Sequence, residues 1–378
     1  MRIERIEVAG LQGATPAGGW ASELCPDDVV HSLVCVHTDE GVVGVGSAFT
    51  SDTLATAAVE LLEPLWRGES AIEPERVSEK LHQHTFWLGR GGSVTHAISG
   101  IDLALWDIFG KVCAQPVGRL LGGRYRDRVR PYASLLMQHP ELMAEQLTAL
   151  GEQGFRAFKI GWGPFGRGSA AVDEAIVRAA RETVGPDALL MVDAGASDAY
   201  WPHGYKWALR TASMLAAYDV SWFEEPLSPD AIEDYVELRR RAPVAIAGGE
   251  VLTRRQAFRP WLERRALDIV QPDVTKVGGL SEQRRIAWAA QEHDIDYVGH
   301  GWNTAIGLAA DLQLAAALPT TELVEYKTGS PYIDALRIGG FGLDADGMLA
   351  IPEGPGLGIE LDPEAVERYT GKRDMLIA

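Results

Sequence analysis

Residues 189–194, 220–226 and 244–250 read LLMVDA, VSWFEEP and VAIAGGE, three short β-forming runs that each carry an acid at or near the end. Working outward from them, similar runs recur at 131–137, 157–162, 268–274, 297–301 and 322–326, making eight in all. Seven of the intervening segments carry helical pattern, as in 170–184 and 281–293. Strand and helix alternating in this way predict a parallel (β/α) barrel rather than an open sheet. The sequence has no Gly-rich dinucleotide loop after the first run, which an open doubly wound sheet would favour.

The C-terminal ends of these runs carry Lys159, Asp193, Glu224, Glu250, Asp273, His300 and Glu325. From Asp193 onward the separations are 31, 26, 23, 27 and 25 residues, close to one βα unit each time. A barrel gathers such positions at one mouth, the face where enzymes of this architecture place their sites. Asp193, Glu224 and Glu250 would repel one another there, and a divalent cation removes the conflict. Oxygen-only ligands favour Mg²⁺; the plainer alternative is helix caps or surface charges. Glu225, turned the other way by strand alternation, reads as a packing or supporting residue.

His300 lies between Gly299 and Gly301, with Asp273 one strand earlier. A carboxylate that fixes the tautomer of an imidazole makes it an oriented general base; a satisfied core histidine is the other reading. Lys159 sits inside a β-forming run, so its charge needs a partner. A substrate carboxylate and one of the metal-type carboxylates both qualify. Lys276 is open between a contact to the carboxylate cluster and a helix-start residue.

Composition limits the partners. The chain has 378 residues, 46% hydrophobic and 23% charged, with a formal net charge of −18. So acidic a surface repels phosphate backbones and anionic lipid, so no nucleic acid and no membrane is expected as a partner. Cys25, Cys35 and Cys113 form no CxxC pair, which fits a reducing cytoplasm better than a disulfide framework or structural zinc. The N-terminus lacks a signal-peptide pattern, and no run approaches the roughly 20 apolar residues of a membrane span. A soluble, cytoplasmic protein is expected.

Before residue 128 the pattern is α+β: a strand over 1–9, a hairpin of 31–38 and 42–48, then helical segments near 52–66, 74–84 and 93–113. The expected organisation is an N-terminal α+β capping domain over 1–127, a barrel over 128–339, and a C-terminal segment, 340–378, that completes the cap. Residues 351–359 are too rich in Gly and Pro for a helix.

Asp193, the run Trp222-Phe-Glu224-Glu-Pro226, Gly248-Gly-Glu250, Gln271-Pro-Asp273 with Lys276, and His300 together resemble the mandelate racemase branch of the enolase superfamily. Ser99-Gly-Ile-Asp-Leu-Ala-Leu-Trp-Asp107 and Gly354-Pro-Gly-Leu-Gly358 are similar to the same branch. The resemblance spans nearly the whole chain and implies a modified (β/α)7β barrel, of TIM type, under an α+β cap. It implies Mg²⁺ on Asp193, Glu224 and Glu250, an Asp273–His300 base dyad, and Glu325 bonded to a substrate carboxylate oxygen. Enolase-superfamily chemistry pairs a Lys or His base with one or two Mg²⁺ ions.

One position departs from the branch. Many members carry Lys-x-Lys on the second strand, the second Lys acting as base from the opposite face; here Lys159 is followed by Gly161. A single His base suits β-elimination of water from a sugar acid better than two-base racemisation. The expectation is a dehydratase of a small-molecule acid sugar giving a 2-keto-3-deoxy acid, with an epimerase or a lactone cycloisomerase as rivals and a homo-oligomer as its form. A silent ligand-binding relative has no need for an Asp-oriented His. The family also has a loop closing over the mouth, here 11–20 with Trp20 as a lid residue. The segment 197–205 extends another loop and offers His203 as a substrate contact or a plain loop residue.

Overall fold

A computed structural model describes residues 1–16, 24–198 and 200–377. The chain begins with an antiparallel sheet of β1 (Ile3–Leu11), β2 (His31–Thr38) and β3 (Val43–Ala48). Helices Asp52–Leu61, Pro74–Gln83 and Ser93–Val112 follow. The expected helix over 52–66 is broken at Leu62, and a separate turn spans Glu63–Trp66. Pro64 explains the break, since it lacks the amide that a continuing helix needs but is tolerated in a first turn.

All eight expected barrel strands are present: β4 (Arg128–Leu136), β5 (Ala157–Gly161), β6 (Leu189–Asp193), β7 (Trp222–Glu224), β8 (Ala245–Gly248), β9 (Ile269–Val270), β10 (Asp296–Tyr297) and β11 (Leu323–Lys327). They pair in parallel in the order β10-β9-β8-β7-β6-β5-β4-β11. Among the described residues no backbone ladder joins β10 to β11. The Gly301 N–H spans that seam and donates to the Glu325 carboxylate at 2.7 Å. Glycine is required there, because an added Cβ would lie 2.8 Å from both the Cβ and the carbonyl oxygen of Glu325.

Each of the seven strand connections carries a helix, from Pro140–Glu152 to Ala305–Ala317. Directly after β11 comes the four-residue helix Pro331–Asp334, so a full eighth barrel helix is missing there among the described residues, as the family resemblance implies. Inside the barrel, Tyr132, Ala157, Met191, Trp222, Ala247, Ile269 and Val298 make one apolar cluster. Each strand's next inward side chain lies two residues further on. That step reaches Ser134, Lys159, Asp193, Glu224, Gln271 and His300, so a dry layer underlies the polar mouth.

Barrel and cap are joined by a buried carboxylate. Asp102, on the helix Ser93–Val112, accepts from Ser78 Oγ and Ser281 Oγ at 2.5 Å each and from the Ser281 N–H at 3.0 Å. Burial pushes its carboxyl up to about 7, against the bonds from the two serines. The tail touches both parts. β12 (Leu349–Ala350) pairs antiparallel with β4. The Leu357 N–H donates to Asp107 Oδ1 at 2.9 Å. Helix Pro363–Thr370, capped by Asp362, is bonded through the Tyr369 carbonyl to the Gln12 N–H at 3.0 Å. No helix among the described residues is long and apolar enough to cross a membrane.

Candidate active site

The strand-end acids converge. Asp193 and Glu224 are the last residues of β6 and β7, and Glu250 stands two residues beyond β8. One ligand oxygen from each lies within 4.8 Å of the others. The unused lone pairs are engaged: Asp193 Oδ1 accepts from the Gly195 N–H at 2.8 Å and Oδ2 from Trp162 Nε1 at 3.1 Å. Glu224 Oε2 accepts from Gln271 Nε2 at 2.7 Å and Trp222 Nε1 at 3.0 Å. Burial, together with the charge of Glu224, pushes the Asp193 carboxyl well above the usual carboxylate range. Such a group resists ionising beside its neighbours unless a positive charge joins them.

His300 Nδ1 donates to Asp273 Oδ2 at 2.7 Å, and its Nε2 lies 2.9 Å from Glu250 Oε2. Asp273 is itself fixed, its Oδ1 accepting from the Thr275 N–H at 2.7 Å and from Thr275 Oγ1 at 2.5 Å. Burial opposes a charged imidazole, but Glu250 and Glu325 outweigh it and hold His300 well above its ordinary value. Burial likewise opposes ionisation of Glu250, yet His300 and Lys276 keep its carboxyl below the usual range.

Lys159 lies between two carboxylates, Nζ at 2.5 Å from Glu224 Oε1 and 3.0 Å from Glu325 Oε1. Burial disfavours its charge; Glu224 and Glu325 reverse that and raise its proton affinity. Lys276 Nζ is 3.9 Å from both Glu250 and Asp273 and 4.2 Å from the Phe49 ring centroid, so its charge is directed at the carboxylates. Glu225 is buried below the cluster, taking the Gly249 N–H at 3.4 Å. Burial and Glu250 push its carboxyl up to about 8.

These groups surround a cavity of about 350 Å³ that Lys159, Asp193, Glu250, Lys276 and His300 line with Phe49, Ser134, Trp162 and Trp302. Sequence reading assigned no role to those last four. Phe49 comes from the cap and is pinned by its N–H to the Thr275 carbonyl at 3.3 Å, a contact no local pattern encodes. Trp162 carries a left-handed φ of 59°, a costly conformation for a bulky residue and one that clusters at functional sites. Gly161 leaves no room for a side chain, since an added Cβ would meet Asp193 Cβ at 2.7 Å.

His203 is not brought into the cavity. Trp20 lies outside the described residues. His203 stacks on Trp207 with centroids 4.4 Å apart, and its Nε2 donates to the Gly166 carbonyl at 2.5 Å. The aromatic packing of Trp201 and Trp207 draws the imidazole into the loop, and Ser197 and Asp198 are the loop residues that face the cavity. Its imidazole is thus engaged within its own loop and the helix that follows.

Comparison with known proteins follows the same lines. Residues 142–365 match the family model described as enolase C-terminal domain-like, and residues 27–122 match the mandelate racemase / muconate lactonizing enzyme N-terminal domain. The D-galactarolactone cycloisomerase of Agrobacterium fabrum is 34% identical over 360 residues, 91% of this chain and 92% of that protein. The D-xylonate dehydratase of Haloferax volcanii is 35% identical over 89% of this chain and 84% of its own length. The crystal structure of the 3,6-anhydro-D-galactonate cycloisomerase from Zobellia galactanivorans superposes with a TM-score of 0.87 at 31% identity, covering 98% of this chain and 100% of that one. With both halves of the chain matched and a barrel-mouth site built from strand-end acids, the protein belongs to the mandelate racemase branch of the enolase superfamily.

Proposed function

We propose that the protein is a Mg²⁺-dependent sugar acid dehydratase, which removes the proton α to a carboxylate and expels the β-hydroxyl as water. The observation that carries this reading is the one-sided base set: an Asp273–His300 dyad at 2.7 Å on one side of the mouth and Gly161 on the second strand, with no space for a side chain. Relatives named as dehydratases of xylonate, rhamnonate and arabinonate support the reaction class.

The donor set fits Mg²⁺. Three carboxylates within 4.8 Å, with no nitrogen or sulfur among them, suit a hard cation. Asp193, Glu224 and Glu250 would hold it, and when bound it supplies positive charge that favours the substrate in its deprotonated form.

The chain's own residues do the rest. The Lys159 ammonium attracts the substrate carboxylate and, with it, the charge that develops there when the α-proton leaves. Asp273 keeps the Nδ1 proton in place, so Nε2 is the nitrogen that takes the α-proton. The C–H electron pair becomes the carbon–carbon double bond as the β-carbon loses its hydroxyl. The proton held at Nε2 goes to that departing oxygen, which completes water. The enol left behind takes up a proton at carbon and releases its hydroxyl proton to solvent, giving the 2-keto-3-deoxy acid.

A second reading, cycloisomerisation, is favoured by the Agrobacterium fabrum and Zobellia galactanivorans relatives. The same dyad could expel a ring oxygen in place of a hydroxyl, with no loss of water. Incubating a panel of sugar acids and their lactones with the enzyme and Mg²⁺ separates the two. A 2-keto acid 18 mass units lighter than its substrate, by the elementary arithmetic of water loss, supports the dehydratase. A constitutional isomer of unchanged mass supports the cycloisomerase, and accumulation of an α-epimer overturns both.

A further inference from the structure

Lys327 is the last residue of β11, two positions beyond Glu325, and no part of the site described so far uses it. Alternation along the strand turns it to the same face as Glu325, and it lines a second cavity that shares the wall of Leu135 and Leu136 with the first. The register agrees: Lys327 pairs with Ser134 of β4, and Ser134 pairs with Lys159 of β5. Paired residues in a parallel sheet share a face, and both Ser134 and Lys159 line the cavity. The Lys327 ammonium stands 4.4 Å from the centroid of Trp302, itself a cavity wall.

This ammonium is only 9% exposed, yet its hydrogen bond is to the Thr328 carbonyl at 2.7 Å, and no carboxylate among the described residues lies within ion-pair distance. Every other buried lysine of the mouth has carboxylates around it: Lys159 has Glu224 and Glu325, and Lys276 has Glu250 and Asp273. A largely buried cation with a neutral acceptor and an aromatic face leaves charge uncompensated, which is costly in an interior and gains most when an anion arrives. The cost is visible, because burial pulls the ammonium down to about 8 even though Glu325 and Asp334 work the other way. The position also suits a ligand's far end. Metal-type carboxylates occupy β6 to just beyond β8, whereas Lys327 stands on β11, beside β4 and away from them in the sheet order.

We propose that Lys327 marks a second anion subsite at the rim of the mouth, so that the substrate is a sugar acid carrying a further acidic group at its distal end. That group is a carboxylate, as in an aldaric acid, or a phosphate. Trp302 shields the ammonium from bulk water and offers its face to the carbon chain between the two acidic ends. The proposal rests on the sugar-acid reading of the site, but its binding arm can be judged without turnover.

The test compares three ligands of one chain length and configuration: an aldaric acid, the aldonic acid phosphorylated at its terminal hydroxyl, and the plain aldonic acid. Each is titrated calorimetrically into the Mg²⁺-loaded enzyme and into Lys327→Met, which keeps the side-chain length and a favourable contact to Trp302. One of the doubly acidic ligands is expected to bind the native protein about tenfold or more tightly than the aldonic acid, the size of one charge-assisted contact. In Lys327→Met that preference is expected to vanish, while the melting temperature shows the fold intact. Whichever doubly acidic ligand wins identifies the group. Equal binding of all three by the native protein overturns the proposal, as does an undiminished preference in Lys327→Met. A loss of turnover in Lys327→Met with the preference retained makes the residue a proton donor and also overturns it. Preferential binding without water loss from any ligand leaves the subsite standing and removes the dehydratase reading instead.

Discussion

Glu250 Oε2 lies 2.9 Å from His300 Nε2, so one carboxylate of the acidic triad also touches the nitrogen that we propose takes the α-proton. The acidic triad and His300 are thus not independent. Glu250→Gln is expected to weaken Mg²⁺ binding and also to lower the proton affinity of His300, because Glu250 is the largest charge supporting the imidazolium. Glu224→Gln removes a triad member without that contact. NMR titration of His300 in chelator-treated protein checks this. Equal effects of the two substitutions on the imidazole would show that Glu250 has no special hold on it.

Glu224→Gln is expected to reduce turnover on the order of a thousandfold while the barrel stays folded, since it removes one of three charged ligands and the partner of Lys159 at 2.5 Å. Metal affinity by calorimetry and turnover after chelation are the measurements. Full activity of the chelated enzyme would refute the cation assignment.

His300→Asn keeps a hydrogen-bonding side chain but cannot accept the α-proton. Its turnover is expected to fall by at least ~10²–10⁴-fold, with substrate affinity near native because Lys159 is untouched. Asp273→Asn is expected to be damaging as well, through reversal of the tautomer that Oδ2 enforces at 2.7 Å. Solvent exchange of the α-proton at the native rate in His300→Asn would assign the base elsewhere.

Much of this site was legible because a barrel converts a sequence interval into a shared location. The acids from Asp193 to Glu325 recur at one βα spacing, and six strand-end groups meet as that period requires. What the period does not encode is how loops fold back. The runs at 268–274 and 297–301 look like full strands, yet β9 and β10 hold two residues each. Pro272 has no amide for a ladder, and the Asp273 side chain turns back to bond the Thr275 N–H. His203 carried no sign that Trp207 would capture its ring at 4.4 Å, because that contact spans a loop and the helix after it. Lys327 could have been read from the Glu325-x-Lys327 alternation, had the strand been drawn one residue longer. The helix Pro363–Thr370 was likewise announced by its Asp362-Pro363-Glu364 start.

The glycine at position 161 has an expected stereochemical outcome. Because Gly161 stands where a side chain would strike Asp193, substrate recovered from turnover in D₂O is expected to keep its α-configuration, whether or not it has exchanged. Chiral chromatography of the recovered acid decides this. An inverted epimer appearing faster than keto acid would refute the one-sided mechanism.

Asp102 ties stability to pH. Its folded carboxyl titrates at about 7 against an unfolded value of 3.8, so the folded state binds the extra proton between those limits. The contribution is therefore fully present below the unfolded value and is lost as pH rises towards 7. Asp102→Asn lacks this dependence. The native protein's advantage over Asp102→Asn is expected to shrink by a few kcal/mol, roughly, between pH 4 and pH 8. Thermal melts across that range measure it, and an advantage that stays constant would show that Asp102 does not titrate there.

The seam between β10 and β11 sets a mechanical limit on the catalyst. His300 follows one bank and Glu325 belongs to the other, and the Gly301 N–H to Glu325 contact at 2.7 Å crosses between them where no backbone ladder runs among the described residues. A barrel opened like a cut ring yields first at its cut. Warming is expected to part the bank that leads to His300 from the bank that holds Glu325 while the remaining ladders, and the helices they carry, stay intact. Heat inactivation of this enzyme should then precede loss of its helical signal, and a staple across the two banks would raise its working temperature without raising its melting point.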